Sequence, residues 1–209
     1  MVRRAVKQER AERTRAALIQ AAAEVFGELG FSGASVMKIA DRAGVTLGAV
    51  YFHFRNKEEL AREIVSGQPD FVVPPQPSLG LQRAVDLTLT WAYRLAHEPL
   101  LRAGARLVWE QEHFISPEAN SHQQWTGILL DELRSAQRRR ELRAGTDVEA
   151  LARVVVSACT GAQMHSYVEA AHADLPRRVE EVWACLLPSV AVPSVAKRIE
   201  MGETRGCSA

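Results

Sequence analysis

Little along this chain could make or break a covalent bond. The 6 histidines follow no repeated spacing, and neither a G-x-S-x-G elbow nor an H-E-x-x-H zinc motif occurs. Glu110 and Glu112 beside His113 lack the one-face spacing that metal ligands need. Cys159, Cys185 and Cys207 are odd in number and far apart, against both a disulfide framework and paired zinc ligands. No catalytic residue, cofactor or metal is expected. What remains is chemistry suited to phosphates. Thr46 and Tyr51 can donate hydroxyl hydrogen bonds to phosphate oxygens, contacts that position a protein on DNA without reading its sequence. Gly48 between them would let a helix approach DNA closely. Tyr51 can equally be a half-buried core aromatic.

These groups need short, well-capped helices to hold them. Leu18, Ala22, Val25, Phe26 and Leu29 share one face of a first helix running from about Glu12 to Gly30. Ser35 is placed to cap a second helix that turns Val36, Ile39 and Ala40 inward. Ala43-Gly44-Val45 reads as a tight turn, and Thr46 as the cap of a third helix bearing Val50, Tyr51 and Phe54. A fourth begins near Asn56, with Glu58 and Glu59 where the helix dipole favours acids. Two short helices joined by a glycine turn are the geometry of a helix-turn-helix, and also of an ordinary three-helix core.

The run from Gln68 to Pro77 carries four prolines and marks a boundary. Longer helices are expected beyond it, at about 79–97, 99–113, 121–139, 147–171 and 175–187. Val148, Leu151, Val155, Ala158, Cys159 and Ala162 make an apolar stripe on the fourth of these. The chain is therefore all-α, with an N-terminal head at 8–68, a helical body at 78–200 and a polar tail at 201–209 expected to be disordered. Its 209 residues, 47% hydrophobic, can bury one large core or two small ones. A net charge of +1 means that nucleic-acid binding must come from a local patch. Arg3, Arg4, Lys7, Arg10, Arg13 and Arg15, against Glu9 and Glu12, supply one. The N-terminus lacks the apolar run of a signal peptide, and no apolar stretch reaches the ~20 residues of a membrane span, so a cytoplasmic location is expected.

The head motifs are more specific than their pattern. Thr14-Arg15, Gly30-Phe31, Ala43-Gly44-Val45-Thr46, Gly48-Ala49-Val50-Tyr51-Phe52-His53-Phe54 and Lys57-Glu58-Glu59-Leu60 resemble the DNA-binding domain of TetR-type repressors. Further along, Leu101-Arg102-Ala103-Gly104-Ala105-Arg106-Leu107, Trp125, Gly161-Ala162-Gln163 and the stretch 187–195 resemble the γ-butyrolactone (autoregulator) receptors of actinomycetes. The resemblance implies DNA contacts at Ser35, Thr46, Leu47, Gly48, Tyr51, His53 and Lys57, the last two to the backbone. At position 47 such receptors usually carry a lysine able to reach a guanine edge. Leu47 can instead pack on a thymine methyl, which implies a shifted or relaxed operator preference.

For the body, the resemblance implies ligand contacts at Trp125, Gln68, Thr160, Gln163, Leu107 and Trp109. Trp91, Trp109 and Phe114 can add aromatic walls or serve only as core. Gln68 can as easily be a solvated linker residue. Where these receptors often present a threonine hydroxyl, this chain has Ala158, and Ser157 or Thr160 is left to replace it. The implied protein is a repressor or pseudo-receptor answering to a butyrolactone-like or antibiotic-type effector. A single short reading helix makes too few base contacts, so a homodimer on half-sites ~34 Å apart in a palindromic double-stranded operator is expected. Val154, Val155, Val182, Leu186 and Leu187 are candidates for its interface. Two other readings stay open: a DNA-binding regulator without an effector, and a helical enzyme or carrier whose helix-turn-helix is incidental.

Overall fold

The computed structural model describes residues 2–115 and 120–207, and the side chains from residue 8 onward. The side chains of Arg3, Arg4 and Lys7, half of the expected basic patch, lie outside the described residues. Helices dominate, and among the described residues the one β-type feature is an isolated antiparallel bridge between Leu142 and Ala191.

Helix α1 spans Val2–Gly33, nearly three turns before the start of the expected span and almost one turn past its end, with a break at Gly30 (φ 71°, ψ 179°). Leu18, Ala22, Val25 and Phe26 are buried along it, as the spacing predicts. Short helices follow, α2 (Val36–Ala43), α3 (Leu47–His53) and α4 (Lys57–Gly67). Each opens on the residue whose side chain can accept from its first turn. Ser35 Oγ accepts from Lys38 N (3.2 Å), Thr46 Oγ1 from Ala49 N (3.2 Å) and Asn56 Oδ1 from Glu59 N (2.9 Å). Gly44, at φ 65°, closes α2 in the left-handed conformation.

Helix α5 (Gly80–Leu95) follows a 3-10 turn at Gln68–Phe71 and an extended stretch. Helix α6 (Pro99–Leu107) tightens into a 3-10 segment at Val108–His113, where sequence periodicity predicted one continuous helix. Helices α7 (Ser121–Arg138), α8 (Val148–Ala170), α9 (Leu175–Val190), α10 (Pro193–Ala196) and α11 (Glu203–Gly206) complete the order.

The described residues form two compact units, and their division differs from the head and body drawn from sequence. The first takes in Met1–Gln68 and Glu98–Asn120, the second Pro69–His97 and Ser121–Ala209. The stretch that begins at Pro99 thus belongs with the head. Ala103, Leu107 and Phe114 join Leu18, Phe26, Ile39, Val50, Leu60 and Ile64 in one buried cluster. Side-chain shape complementarity between segments far apart in sequence decided this, and the proline-rich boundary could not reveal it.

In the second unit, Leu175, Val179, Trp183 and Leu187 form a single buried row on α9. The Trp183 indole N–H donates to Thr88 Oγ1 of α5 at 2.8 Å. The described part of the tail is folded and carries α11, contrary to the disorder expected from its polar composition. Arg205, 7% exposed, donates from Nε to Asp86 Oδ1 (3.0 Å) and from Nη2 to Asp86 Oδ2, while Asp86 is completely buried. Gln82 exchanges hydrogen bonds with the backbone of Glu200 (2.8 and 2.9 Å), and Gly206 lies so close to Tyr93 that a Cβ there would overlap the ring.

Candidate nucleic-acid interface

Helix α3 is short, so its seven residues must divide between holding the head together and facing outward. Val50 is buried and Phe54 just beyond the helix is 2% exposed, while Leu47, Tyr51 and Phe52 are 43%, 54% and 77% exposed. Three large apolar or aromatic side chains exposed on one short helix are costly to leave in water without a partner surface. Tyr51 is therefore an exposed residue and not a half-buried core aromatic. Gly48 has the same outlook, since a Cβ built there meets only Thr46 Oγ1, at 3.9 Å. Nothing among the described residues requires glycine at this position.

Among the described residues Thr46 and Ser35 act in their caps as acceptors, which leaves each hydroxyl a proton to donate. His53 packs edge to face on Phe52, ring centroids 5.0 Å apart. Lys57, implied by the resemblance as a backbone contact, is engaged within the head. Its half-buried ammonium donates to Phe31 O (2.9 Å) and Ala34 O (3.3 Å) and stands 4.2 Å from the centre of the Phe31 ring. It braces the loop before α2 and has one N–H left. Other cations are also engaged: Lys38 Nζ donates to Gly33 O (2.9 Å), and Arg42 bridges Glu24 and Glu28 of α1. Those carboxylates, hydrogen-bonded to Arg42, hold its pKa above the usual guanidinium value. Arg55 was missed by sequence reading. It is exposed in the turn after α3, and no carboxylate pairs with its side chain among the described residues. Its place directly after the Phe52-His53-Phe54 run was the available signal.

The candidate ligand residues divide between the two units. In the first, Leu107 is fully buried in the head cluster, Trp109 is 43% exposed on the 3-10 segment, and Gln68 is 2% exposed, donating to Val65 O (3.2 Å) and pressed on Gly104. Gln68 is thus no solvated linker residue, and Phe114 is a core residue of the head. In the second, Trp125 is half-buried on α7, and Gln163 is buried on α8 with Thr160 half-buried one turn before it. Ser157 is exposed. Ala158 lines a different face, a groove between α8 and α9 with Val154, Ala162, His165, Val182 and Leu186. Of the interface candidates, Val155 and Leu187 are buried core residues, whereas Val154, Val182 and Leu186 line that groove. Burial pushes the Cys159 thiol up to about 12, so it is no thiolate nucleophile. Among the described residues no group of His, Cys, Asp and Glu could hold a metal ion, and no helix is long and apolar enough to cross a membrane.

Two capped helices around a left-handed glycine, with an uncovered second helix, define a helix-turn-helix transcription regulator. Residues 18–64 match the family of bacterial regulatory proteins, tetR family, and residues 79–193 match the tetracyclin repressor-like C-terminal domain. The chain belongs to the TetR family. It is 36% identical to the A-factor receptor protein of Streptomyces griseus over 93% of this chain and 70% of that protein. Among solved structures it resembles full-length TylP, a TetR regulator from Streptomyces fradiae, at TM-score 0.83 and 40% identity, covering 92% of this chain and 93% of that one. A gamma-butyrolactone receptor described as an ArpA-like protein aligns at TM-score 0.68 and 28% identity, covering 90% of this chain and 93% of that one. The protein is a DNA-binding transcriptional repressor of this family and not an enzyme.

Proposed function

We propose that the protein is a cytoplasmic repressor that binds a palindromic operator as a homodimer and leaves it when a small butyrolactone-like or antibiotic-type effector binds. The observation that carries operator binding is the uncovered face of α3, where Leu47, Tyr51 and Phe52 stand in solvent around a glycine that the fold does not need. Dimerisation is supported by the groove of Val154, Ala158, Ala162, Val182 and Leu186, an apolar strip on two long helices of the kind that pairs with its own copy about a twofold axis.

Effector binding in the second unit is supported by a buried polar atom without a mate. The Thr90 hydroxyl on α5 is fully buried and has no hydrogen-bond partner among the described residues, a cost of about 1–3 kcal/mol unless a ligand or water meets it. Thr160 lies on the same row of α8 as Val156 and Gln163, both buried, so it replaces the hydroxyl missing at Ala158 better than the exposed Ser157 does. The likeness to the A-factor receptor protein and to a gamma-butyrolactone receptor points to the effector class.

The test has three readings. Genomic fragments bound by the purified protein should share a near-palindrome, sedimentation should show a dimer, and lactone-type metabolites should release the DNA. Release requires that the effector prefer the DNA-incompetent state, so a ligand that binds and leaves operator affinity unchanged refutes the coupling. A monomer at working concentration refutes the operator model. Within the selected site, Leu47→Lys should shift preference toward guanine at one position of each half-site by about 1–3 kcal/mol. Unchanged base preference in a selection experiment would remove Leu47 from base reading.

A further inference from the structure

The Leu101–Leu107 motif and the segment after it have no role in the reading above, yet they carry an i, i+4 pair aimed at one backbone joint. Arg106 Nη1 donates to Gly27 O (2.9 Å) and Glu28 O (3.1 Å), the last carbonyls of α1 before its break. The Glu110 carboxylate accepts from Phe31 N (2.8 Å), Ser32 N (3.1 Å) and Ser32 Oγ (2.9 Å), the free donors just after it. A cation at a helix C-terminus and an anion at a fresh N-terminus each suit the local dipole. Gly30 stands between them at φ 71°, and a Cβ there would lie 2.6 Å from Glu110 Oε1 and 3.3 Å from Arg106 Nε. Both ends of the broken helix are thus capped by a single pair brought in from a distant segment. Partial burial pushes the Glu110 pKa up, but the three hydrogen bonds and Arg106 together outweigh it and keep the group below the usual carboxylate range, hence ionised.

The joint matters because the helix-turn-helix starts immediately after it. Lys57 donates to Phe31 O and Ala34 O in the same loop, and Ser35 then caps α2. We propose that Arg106 and Glu110 are positioning residues for operator binding, which set the angle at which α2 and α3 leave α1 by bracing the joint at Gly30. Operator affinity is then governed by a segment that is chain-linked to the second unit at both ends, at 97/98 and 120/121.

The inference rests on the operator-binding reading, and the experiment separates the two. Glu110→Leu keeps the bulk and removes the acceptors. Amide exchange in the free protein should quicken at Phe31 and Ser32 by tenfold or more. Affinity for a fragment that the unaltered protein itself selected should fall at least tenfold, with every molecule still competent by stoichiometric titration. Glu110→Gln, which keeps one acceptor, should recover part of both effects. Arg106→Gln, which keeps a donor, should behave as a weaker version and replaces Glu110→Leu if that variant does not fold. A purely structural brace would lower the melting temperature and leave the affinity of the folded variant alone. That result, or unchanged exchange at Phe31 and Ser32, overturns the proposal. Failure to select any fragment counts against operator binding itself, and the exchange measurement still decides the joint.

Discussion

Arg205→Met is expected to lower the stability of the second unit by about 3–5 kcal/mol, a large effect for a single side chain on a four-residue helix. Asp86 has no solvent exposure, and two of its three side-chain partners, Ser78 and Gln82, are neutral. Loss of the guanidinium therefore strands a carboxylate where water cannot reach it, and the unit must unfold locally or take up a proton to relieve the charge. The Arg205 partner at Gln76 (2.5 Å) is lost as well, which frees the extended stretch before α5. Arg205→Met combined with Asp86→Leu should recover most of the loss, since replacing a buried pair by apolar groups is often neutral. Urea melts followed by circular dichroism would measure both. A single variant within 1 kcal/mol of the parent, in a precision set by the extrapolation, would mean that the tail does not stay docked in solution.

Gly48→Ala is expected to leave the protein folded while weakening operator binding by at least tenfold, about 1.4 kcal/mol. The two effects have opposite origins. In the free protein the new methyl group meets nothing closer than Thr46 Oγ1 at 3.9 Å, and alanine in place of glycine in a helix gains up to about 1 kcal/mol. The melting temperature should stay level or rise. On DNA, the same methyl group would stand where the first turn of α3 approaches the backbone between Thr46 and Tyr51, and would push both hydroxyls out of hydrogen-bond range of their phosphates. Fluorescence anisotropy with a selected fragment, beside a thermal melt, reads both quantities. Undiminished affinity would show that this turn does not lie against the DNA.

Much of the head was legible because its signals are local. Ser35, Thr46 and Asn56 each accept from a backbone N–H three residues on, and Gly44 closes α2 on carbonyls three and four residues back, so residue type and spacing are nearly the whole of the geometry. The uncovered state of Leu47 and Tyr51 follows from the same short period, once Val50 and Phe54 are assigned to the core. The resemblance to TetR-type repressors rests partly on the same residues, Gly44, Thr46, Val50, Tyr51 and Phe54 among them, and the family match bears it out.

Other features were beyond the sequence taken alone. Lys57 reads as a free cation until the carbonyls of Phe31 and Ala34 are found beneath it. The polar tail reads as disordered until Arg205 meets Asp86 across 119 positions, and Glu110 reads as a stray acid until it reaches Phe31 across 79. The residue order by itself determined the short helices of the head, their caps and the exposed face of α3, because those depend on neighbours within one or two turns. Only the folded chain decided which segment completes the head and which charges are buried. Such choices depend on the desolvation and packing of distant partners, which no window along the sequence contains.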